Sequence, residues 1–328
     1  MKVRTTVVAA AMVAAMTFSA SADPLPSWKN GPAKQAVISF AERVTDASGK
    51  DFVPVAERVA VFDNDGTLWC EAPLPPQAFY AAFEVERLLP EHPEWKDDPD
   101  VQALQKRDAA ALLADHYKGL ISILAKSHSD RTPNEFDAGV KRWLESAKHP
   151  KFGVPFNEIV YQPMLEILAY LRDNGFKTYI VSGGGQDFMR VFAEKTYGIA
   201  PEQVIGTYSE VKFAMKDGKP VLTKSMDNLF IDDKAGKPEA IHRFIGRRPI
   251  ACFGNSDGDQ AMLEYTTIGN PRPSFGLIVH HTDAEREYVY DTKPPSSGKL
   301  TTALDAAKQH GWTVVDMKND WKTVFPNE

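Results

Sequence analysis

The stretch "RVAVFDNDGTLWCE", residues 58–71, decides the fold. Its first half is a short apolar run of β-branched and aromatic residues, which is typical of a strand buried on both faces. Asp63 and Asp65 follow where this strand would end, and Gly66 and Thr67 come directly after them. Since carboxylates at the end of a buried strand need a cation or a ligand, the stretch predicts a functional site at a strand end.

Three further apolar runs stop at small or polar residues in the same way, and helical patterns lie between them. The runs are "KTYIVS" (177–182), "RPIACFG" (248–254) and "FGLIVHH" (275–281). Strands that alternate with helices favour a parallel sheet covered on both faces, so we expect an α/β fold with a Rossmann-like core. Ligands of such sheets bind outside the carboxyl ends of the strands, where the polar residues after each run would gather.

The segment after the first run differs from the rest because it carries only helical patterns. A capping box that begins at Thr132 predicts the start of one of these helices. We therefore predict a helical cap at residues 69–155, inserted into an α/β core formed by residues 23–68 and 156–328. Further on, "EVKFAMKDGKPVLTKS" (210–225) alternates around an Asp-Gly pair and predicts a β-hairpin.

Residues 1–22 have the layout of a secretory signal peptide, with basic residues, an apolar stretch and small residues before the expected cleavage site. The apolar stretch is shorter than the roughly 20 residues that a membrane-spanning helix requires. We therefore expect an exported, periplasmic protein without a membrane span. The chain after residue 22 carries 36 basic and 44 acidic residues. This net charge of −8 argues against nucleic acid as a partner.

Three polar clusters would join the acid pair at the sheet edge. Ser182 and Gly183 in "VSGGGQDF" suit an anion, because a hydroxyl and glycine amides would stand before a helix. Lys234 and Lys237 precede another helix, a position that a neighbouring anion would favour. The loop at residues 255–259 offers the hard oxygens that suit Mg²⁺.

Each cluster also has a simpler explanation when it is taken alone. The glycines could form a tight turn, the lysines could be solvated, and the loop could be an Asp/Gly turn. "DNDG" also resembles the opening of a calcium loop. However, Leu74 stands where that loop requires glutamate, and the motif follows a strand instead of a helix.

Taken together and in this order, the motifs closely resemble those of the haloacid dehalogenase-like hydrolase superfamily, and in particular its phosphoserine-phosphatase-like members with a helical cap. "DNDGT" matches the first motif, Asp-x-Asp-x-Thr, and Ser182 the second. Lys237 is the best match to the third motif, with Lys234 as the alternative, and the 255–259 loop matches the fourth.

The resemblance implies a phosphatase that hydrolyses a small phosphorylated metabolite, a phosphate monoester, with the help of Mg²⁺. Asp63 would be the nucleophile that forms an aspartyl-phosphate, and Asp65 would be the general acid and base. Dehalogenases of the superfamily lack the second aspartate, so Asp65 favours transfer from an oxygen ester. The residues that would bind substrate are Thr67, Ser182, Gly183, Lys237 and Glu71.

The role of Glu71 follows from related phosphoserine phosphatases, which place a glutamate near this point to bind an amine. An ordinary acid at the start of a helix is the alternative for this residue. Two further functions are compatible with the motifs. The chain could transfer the phosphoryl group to an alcohol instead of water, or it could capture a phosphorylated ligand without turnover.

The fourth motif departs from the family pattern. The residues that would hold Mg²⁺ are Asp63, Asp65, Asn255 and Asp259, with Asp257 as an alternative ligand. Phosphatases of the family usually have aspartate where this chain has Asn255. An asparagine still offers a carbonyl oxygen, but the site has one negative charge fewer and we expect it to hold Mg²⁺ less tightly. This departure is also the one feature that favours a non-catalytic binding protein.

Overall fold

A parallel β-sheet forms the centre of the protein in this computed structural model, which describes residues 22–293 and 297–327 apart from five side chains of one helix. The predicted signal peptide therefore lies outside the described residues, except for residue 22. The strands are β1 (Val59–Phe62), β2 (Lys177–Gly185), β3 (Val204–Thr207), β4 (Val211–Lys216), β5 (Lys219–Lys224), β6 (Ala251–Gly254), β7 (Phe275–Thr282), β8 (Val289–Tyr290) and β9 (Thr313–Asp316).

The strand order places β1 at the centre of the sheet. Parallel pairing gives the order β3-β2-β1-β6-β7-β9, and the two-residue β8 pairs antiparallel with the end of β7. The chain builds outward from β1 through β2 to β3 and then returns to β6 on the other side. The end of β1 is therefore the point where strand order reverses, which is where such sheets bind ligands.

Helices cover both faces of the sheet, which confirms the predicted α/β architecture. They are α1 (Pro32–Thr45), α2 (Pro76–Leu88), α3 (Pro99–Gln105), α4 (Ala109–His128), α5 (Pro133–Ser146), α6 (Gln162–Asp173), α7 (Gln186–Arg190), α8 (Ala193–Tyr197), α9 (Gly236–Ala240), α10 (Gln260–Thr267), α11 (Thr302–His310) and α12 (Met317–Asp320). Ala60 and Phe62 pack in the core with α1, α6 and α8, and Val59 and Val61 face α9, α10 and α11. Burial on both faces explains why β1 is apolar throughout.

The helices α2 to α5 lie between β1 and β2 along the chain, in the stretch predicted to form a cap. The predicted capping box is present at the start of α5, where Thr132 and Glu135 exchange hydrogen bonds. The predicted hairpin is also confirmed, because β4 and β5 pair antiparallel. Within the part of the chain that the structure describes, no helix has the length and apolar character needed to cross a bilayer.

Two local details differ from the sequence-based prediction. One of the helical patterns between the apolar runs, residues 187–198, forms two short helices, α7 and α8, instead of a single one. The three glycines after Ser182 belong to β2 instead of a loop, and a register shift against β3 separates Ser182 from Gly185. A Cβ at Gly206 of β3 would lie 2.6 Å from the carbonyl oxygen of Gly184, so the two backbones approach too closely for larger residues.

Candidate active site

The predicted polar clusters gather around one cavity at the carboxyl edge of the sheet. The cavity has a volume of about 770 Å³ and lies between this edge and the inserted helices. Its polar floor includes Asp63, Asp65, Glu71, Ser182, Gly183 and Lys237. The inserted segment contributes the apolar residues Pro75, Ala78, Leu120 and Leu124, together with the polar Gln77. The cavity can therefore hold a molecule with one charged end and one less polar end.

Lys237 is a buried cation on the floor of the cavity, and it lies between two carboxylates. Its Nζ is 2.9 Å from Asp63 Oδ1 and 2.5 Å from Asp259 Oδ1. Burial alone would lower the pKa of Lys237, but the charges of Asp259 and Asp63 raise it above its usual value, so the side chain stays an ammonium ion. Lys234 is exposed on the rim of the cavity. Of the two candidate lysines, Lys237 is therefore the one that contacts Asp63, the first member of the acid pair.

Asp63 occupies the end of β1, where its amide continues the pairing with β6 by donating to the carbonyl oxygen of Phe253 at 2.9 Å. Its side chain is buried. Burial, followed by the charge of Asp259, raises the pKa of Asp63, and the ammonium of Lys237 opposes that rise. Contact with a fixed cation favours the ionised carboxylate that a nucleophile requires.

Asp65 has a different setting, although it stands only two residues away. Its Oδ1 accepts a hydrogen bond from the indole nitrogen of Trp69 at 2.7 Å. Burial, followed by the charge of Glu71, raises the pKa of Asp65 to about 7. A carboxyl group with this pKa can both give and take a proton near neutral pH, as a general acid and base must.

The second cluster lies beside Asp65. Ser182 is buried at the floor, and its Oγ accepts a hydrogen bond from the amide of Gly184 at 3.2 Å, so its hydroxyl proton can be donated to a ligand. Gly183 is exposed to the cavity. A Cβ at Gly184 would lie 3.1 Å from Asp65 Oδ2, which shows how closely this backbone passes the acid.

Asn255 connects the fourth motif with the first. Its Nδ2 donates to Glu71 Oε1 at 2.7 Å, and its Oδ1 accepts from the hydroxyl of Thr67 at 3.2 Å. Thr67 is completely buried, and its hydroxyl is engaged with Asn255. The structure thus places the Thr67 side chain on Asn255, and its predicted contact with substrate stays a prediction.

The two aspartates of the fourth motif are both engaged with the protein. Asp259 is completely buried; its Oδ1 meets Lys237, and its Oδ2 accepts from the amides of Asn255 and Ser256. Asp257 accepts hydrogen bonds from the amide of Thr301 and from other groups at the start of α11. These contacts favour positioning roles, whereas Asn255 of the same loop hydrogen-bonds to Thr67 of the first motif.

Several contributors to the site were not identified from the sequence. Tyr290 donates from its hydroxyl to Glu71 Oε1 at 2.8 Å, and Gln77 of α2 accepts from the amide of Gly185 at 2.7 Å. His281 pairs with Glu287 at 2.9 Å and also contacts the carbonyl oxygen of Gly66 at 2.8 Å. The apolar run that ends at His280 and His281 does predict two histidines at this edge of the sheet, whereas the contacts of Tyr290 and Gln77 join residues too distant in sequence to leave a local signal.

Comparison with known proteins gives one match to a family model. The model described as haloacid dehalogenase-like hydrolase matches residues 60–264 of the chain. This range begins in β1, runs through the inserted helices and includes the fourth-motif loop. Among curated proteins, none is significantly similar to the chain.

Solved structures show more distant similarity. A conserved protein of unknown function from Anaerococcus prevotii is 17% identical with a TM-score of 0.46, covering 84% of this chain and 88% of its own. A protein of unknown function from Bordetella pertussis is 15% identical with a TM-score of 0.48, covering 80% and 99%. A phosphoserine phosphohydrolase-like protein from Francisella tularensis is 15% identical with a TM-score of 0.40, covering 76% and 98%. Likenesses at this level decide neither the substrate nor the reaction.

Proposed function

The chain belongs to the haloacid dehalogenase-like hydrolases, and on this premise we propose that it is a Mg²⁺-dependent phosphatase that hydrolyses a small phosphate monoester. The observation that carries the proposal is the contrast between the two acids. Asp63 lies 2.9 Å from the ammonium of Lys237, whereas Asp65 accepts a hydrogen bond from the neutral indole of Trp69 and has a pKa raised to about 7. A carboxylate held beside a cation, next to a carboxyl group that can exchange a proton, is what phosphoryl transfer from an oxygen ester requires.

The residues around the acid pair suit a divalent cation. Hard oxygens would come from the carboxylate of Asp63, the backbone carbonyl of Asp65 and the amide oxygen of Asn255. Among the described residues, no three His, Cys, Asp or Glu side chains form a metal cluster by themselves. A site completed by amide, backbone and water oxygens is compatible with Mg²⁺, since this ion usually keeps several of its waters. When bound, Mg²⁺ would neutralise charge on the transferring phosphoryl group.

Asp63 would act in the first half-reaction. Its carboxylate attacks phosphorus, a bond forms between Asp63 Oδ and phosphorus, and the bond from phosphorus to the alcohol oxygen breaks. Lys237 favours the ionised form of the attacking group by opposing the effect of burial on its pKa, and it offsets negative charge on the phosphoryl oxygens. Ser182 and Gly183 line the floor of the same cavity, where a hydroxyl and an amide can orient those oxygens.

Asp65 would carry the proton in both half-reactions. In its protonated form it donates to the leaving alcohol oxygen as the aspartyl-phosphate forms. In its ionised form it then removes a proton from the water that attacks the aspartyl-phosphate, which releases phosphate and regenerates Asp63. A pKa of about 7 keeps both forms of Asp65 populated near neutral pH.

The test is phosphate release from p-nitrophenyl phosphate by the purified protein, with and without a chelator. We expect release that depends on added Mg²⁺ and is lost in Asp63→Asn. Asp305→Asn, which changes an exposed acid on α11, is the matched control and should keep full activity. Full activity in Asp63→Asn or in the presence of chelator would contradict the proposal.

The same assay separates the two other functions. Transfer of phosphate to an added alcohol, detected as a new phosphate ester, would identify a phosphotransferase. Tight binding of the ester without any release of phosphate would identify a binding protein.

A further inference from the structure

We propose that Glu71 supplies the negative charge that the fourth motif lacks at Asn255, and that the two side chains act as one unit toward Mg²⁺. This inference rests on the proposed function, because it concerns the metal ion of that site. It gives Glu71 the role of a positioning residue that acts through Asn255. The role differs from a contact with an amine of the substrate.

The first support is the orientation of the Asn255 amide. A carboxylate can only accept hydrogen bonds, so the atom of Asn255 that lies 2.7 Å from Glu71 Oε1 must be the amide nitrogen. With the nitrogen fixed there, the amide oxygen is turned toward the first motif, where the hydroxyl of Thr67 donates to it at 3.2 Å. Glu71 therefore holds the NH₂ group of Asn255 on its own side and leaves the amide oxygen on the side of Thr67 in the first motif.

The second support is the charge balance around Glu71. Its side chain is buried, yet its carboxylate oxygens accept hydrogen bonds from the neutral groups of Asn255, Tyr290 and Ser297. Among the described residues, none of the ion pairs of the structure includes Glu71. A buried carboxylate without a cation is costly, so a cation close to this pair would be favoured.

The third support is the enclosure of the contact by two glycines with positive φ. A Cβ at Gly66 would come within 2.0 Å of Asn255 Nδ2 and 2.3 Å of Glu71 Oε1. A Cβ at Gly298 would lie 2.3 Å from the same Glu71 oxygen. The backbone thus covers the pair from both sides and keeps bulk water from screening its charge, which strengthens its effect on a nearby cation.

Together these contacts replace one feature of the family pattern with another. In the family, the charge stands on the fourth-motif residue itself. In this chain the charge is carried by Glu71, which follows the first motif and accepts a hydrogen bond from Asn255. The charge of Glu71 therefore acts on the metal site through the neutral amide of Asn255, whose orientation it fixes. Partners of this kind typically contribute about 10- to 100-fold to metal affinity.

The experiment is calorimetric titration of Mg²⁺ alone into the purified protein, without substrate. We expect Glu71→Gln to raise the Kd for Mg²⁺ by about tenfold. Ser297→Ala, which removes a hydrogen bond to Glu71 without changing its charge, is the control and should change the Kd by less than about threefold. The decisive variant exchanges the two groups, Glu71→Gln with Asn255→Asp, and should restore the Kd to within about threefold of the original protein.

Thermal unfolding in a chelator gives the readout that separates charge supply from a structural role. If Glu71 supplies charge, Glu71→Gln unfolds at the same or a higher temperature than the original protein without metal, because a buried unpaired charge has been removed. Mg²⁺ then stabilises the variant less than it stabilises the original protein. A variant that is destabilised equally with and without Mg²⁺ would indicate a purely structural role and would overturn the inference.

The remaining outcomes are also decisive. An unchanged Kd in Glu71→Gln, an exchanged pair that binds no better than Glu71→Gln, or an original protein that does not bind Mg²⁺ would each overturn the inference. If Glu71→Gln does not fold, the exchanged pair decides alone by the same criterion. Because turnover is not measured here, Mg²⁺ binding that responds as expected in a protein without phosphatase activity would support the inference and refute only the proposed function.

Discussion

The floor of the cavity has two halves that differ in charge, one on each side of the end of β1. On the Lys237 half, one ammonium lies within 2.9 Å of both Asp63 and Asp259. On the Glu71 half, the acids contact neutral donors, with Trp69 on Asp65 and Asn255 on Glu71. On the Lys237 half, the cationic half, the ammonium opposes the rise in pKa that burial and the charge of Asp259 cause at Asp63. On the Glu71 half, the anionic half, burial and the charge of Glu71 act in the same direction and raise the pKa of Asp65 to about 7. Asp63 and Asp65, only two residues apart, are thus suited to different chemical roles by the groups that surround them.

The largest effect should come from removing the proton carrier of the anionic half. Asp65→Asn keeps the shape of the side chain but cannot exchange a proton, so kcat/KM for an alkyl phosphate should fall by about 10²- to 10⁴-fold. p-Nitrophenyl phosphate has a leaving group that needs no proton, and its kcat/KM should fall much less. Steady-state kinetics with both esters is the measurement, and equal losses for the two would show that Asp65 is not the acid.

The next effect tests the cationic half by comparing two lysines. Lys237→Met leaves two buried carboxylates without their partner, so kcat/KM should fall by about 10²-fold or more. Urea unfolding should show a loss of about 3–5 kcal/mol, as for other buried pairs that lose one member. Lys234→Met removes an exposed charge at the rim and should change either quantity only slightly. If the two variants behave alike, the contrast between the halves is wrong.

A smaller effect concerns the pH dependence of activity, because Glu71 raises the pKa of Asp65 within the anionic half. For an alkyl phosphate, kcat/KM should fall above about pH 7, because the raised pKa of Asp65 marks the loss of the acid form. Burial and the charge of Glu71 raise that pKa, so Glu71→Gln should lower it and move the falling limb of the profile to lower pH. The measurement is the pH profile of both proteins at saturating Mg²⁺. A limb that stays in place or moves to higher pH would contradict this assignment.

The smallest effect concerns the amine contact predicted for Glu71. The carboxylate of Glu71 already accepts hydrogen bonds from Asn255, Tyr290 and Ser297. An amine on the substrate should therefore add little binding energy through Glu71. We expect kcat/KM for phosphoethanolamine and for ethyl phosphate to agree within about threefold. A preference for phosphoethanolamine that disappears in Glu71→Gln would restore the original interpretation of this residue.

Local sequence patterns predicted the sheet core well. The four apolar runs are β1, β2, β6 and β7, because strands buried on both faces need continuous apolar residues. Gly198 and Gly246 stand just after helical segments and have positive φ, as is typical of glycines that end helices. Strand order, the edge strands β3 and β9 and the short helices α7 and α8 were not predicted, because they depend on pairing and packing between distant segments.

For the site, the sequence was informative about which residues meet and less informative about what each one does. Asp63, Asp65, Ser182 and Lys237 line one cavity, as expected for residues at the carboxyl ends of parallel strands. The contact between Glu71 and Asn255 joins positions 184 residues apart, and neither residue carries a local signal for it. The placement of Thr67 on Asn255 likewise required the three-dimensional arrangement.

The most direct test of the central claim is the identification of the residue that becomes phosphorylated. In Asp65→Asn, p-nitrophenyl phosphate should still phosphorylate the enzyme, but the intermediate should persist because no base activates water. Borohydride reduces an acyl phosphate to an alcohol, so acid quenching, reduction and peptide mass spectrometry should find homoserine at position 63. Homoserine at another position, or an unmodified Asp63 during steady turnover, would contradict the assignment of Asp63 as the nucleophile.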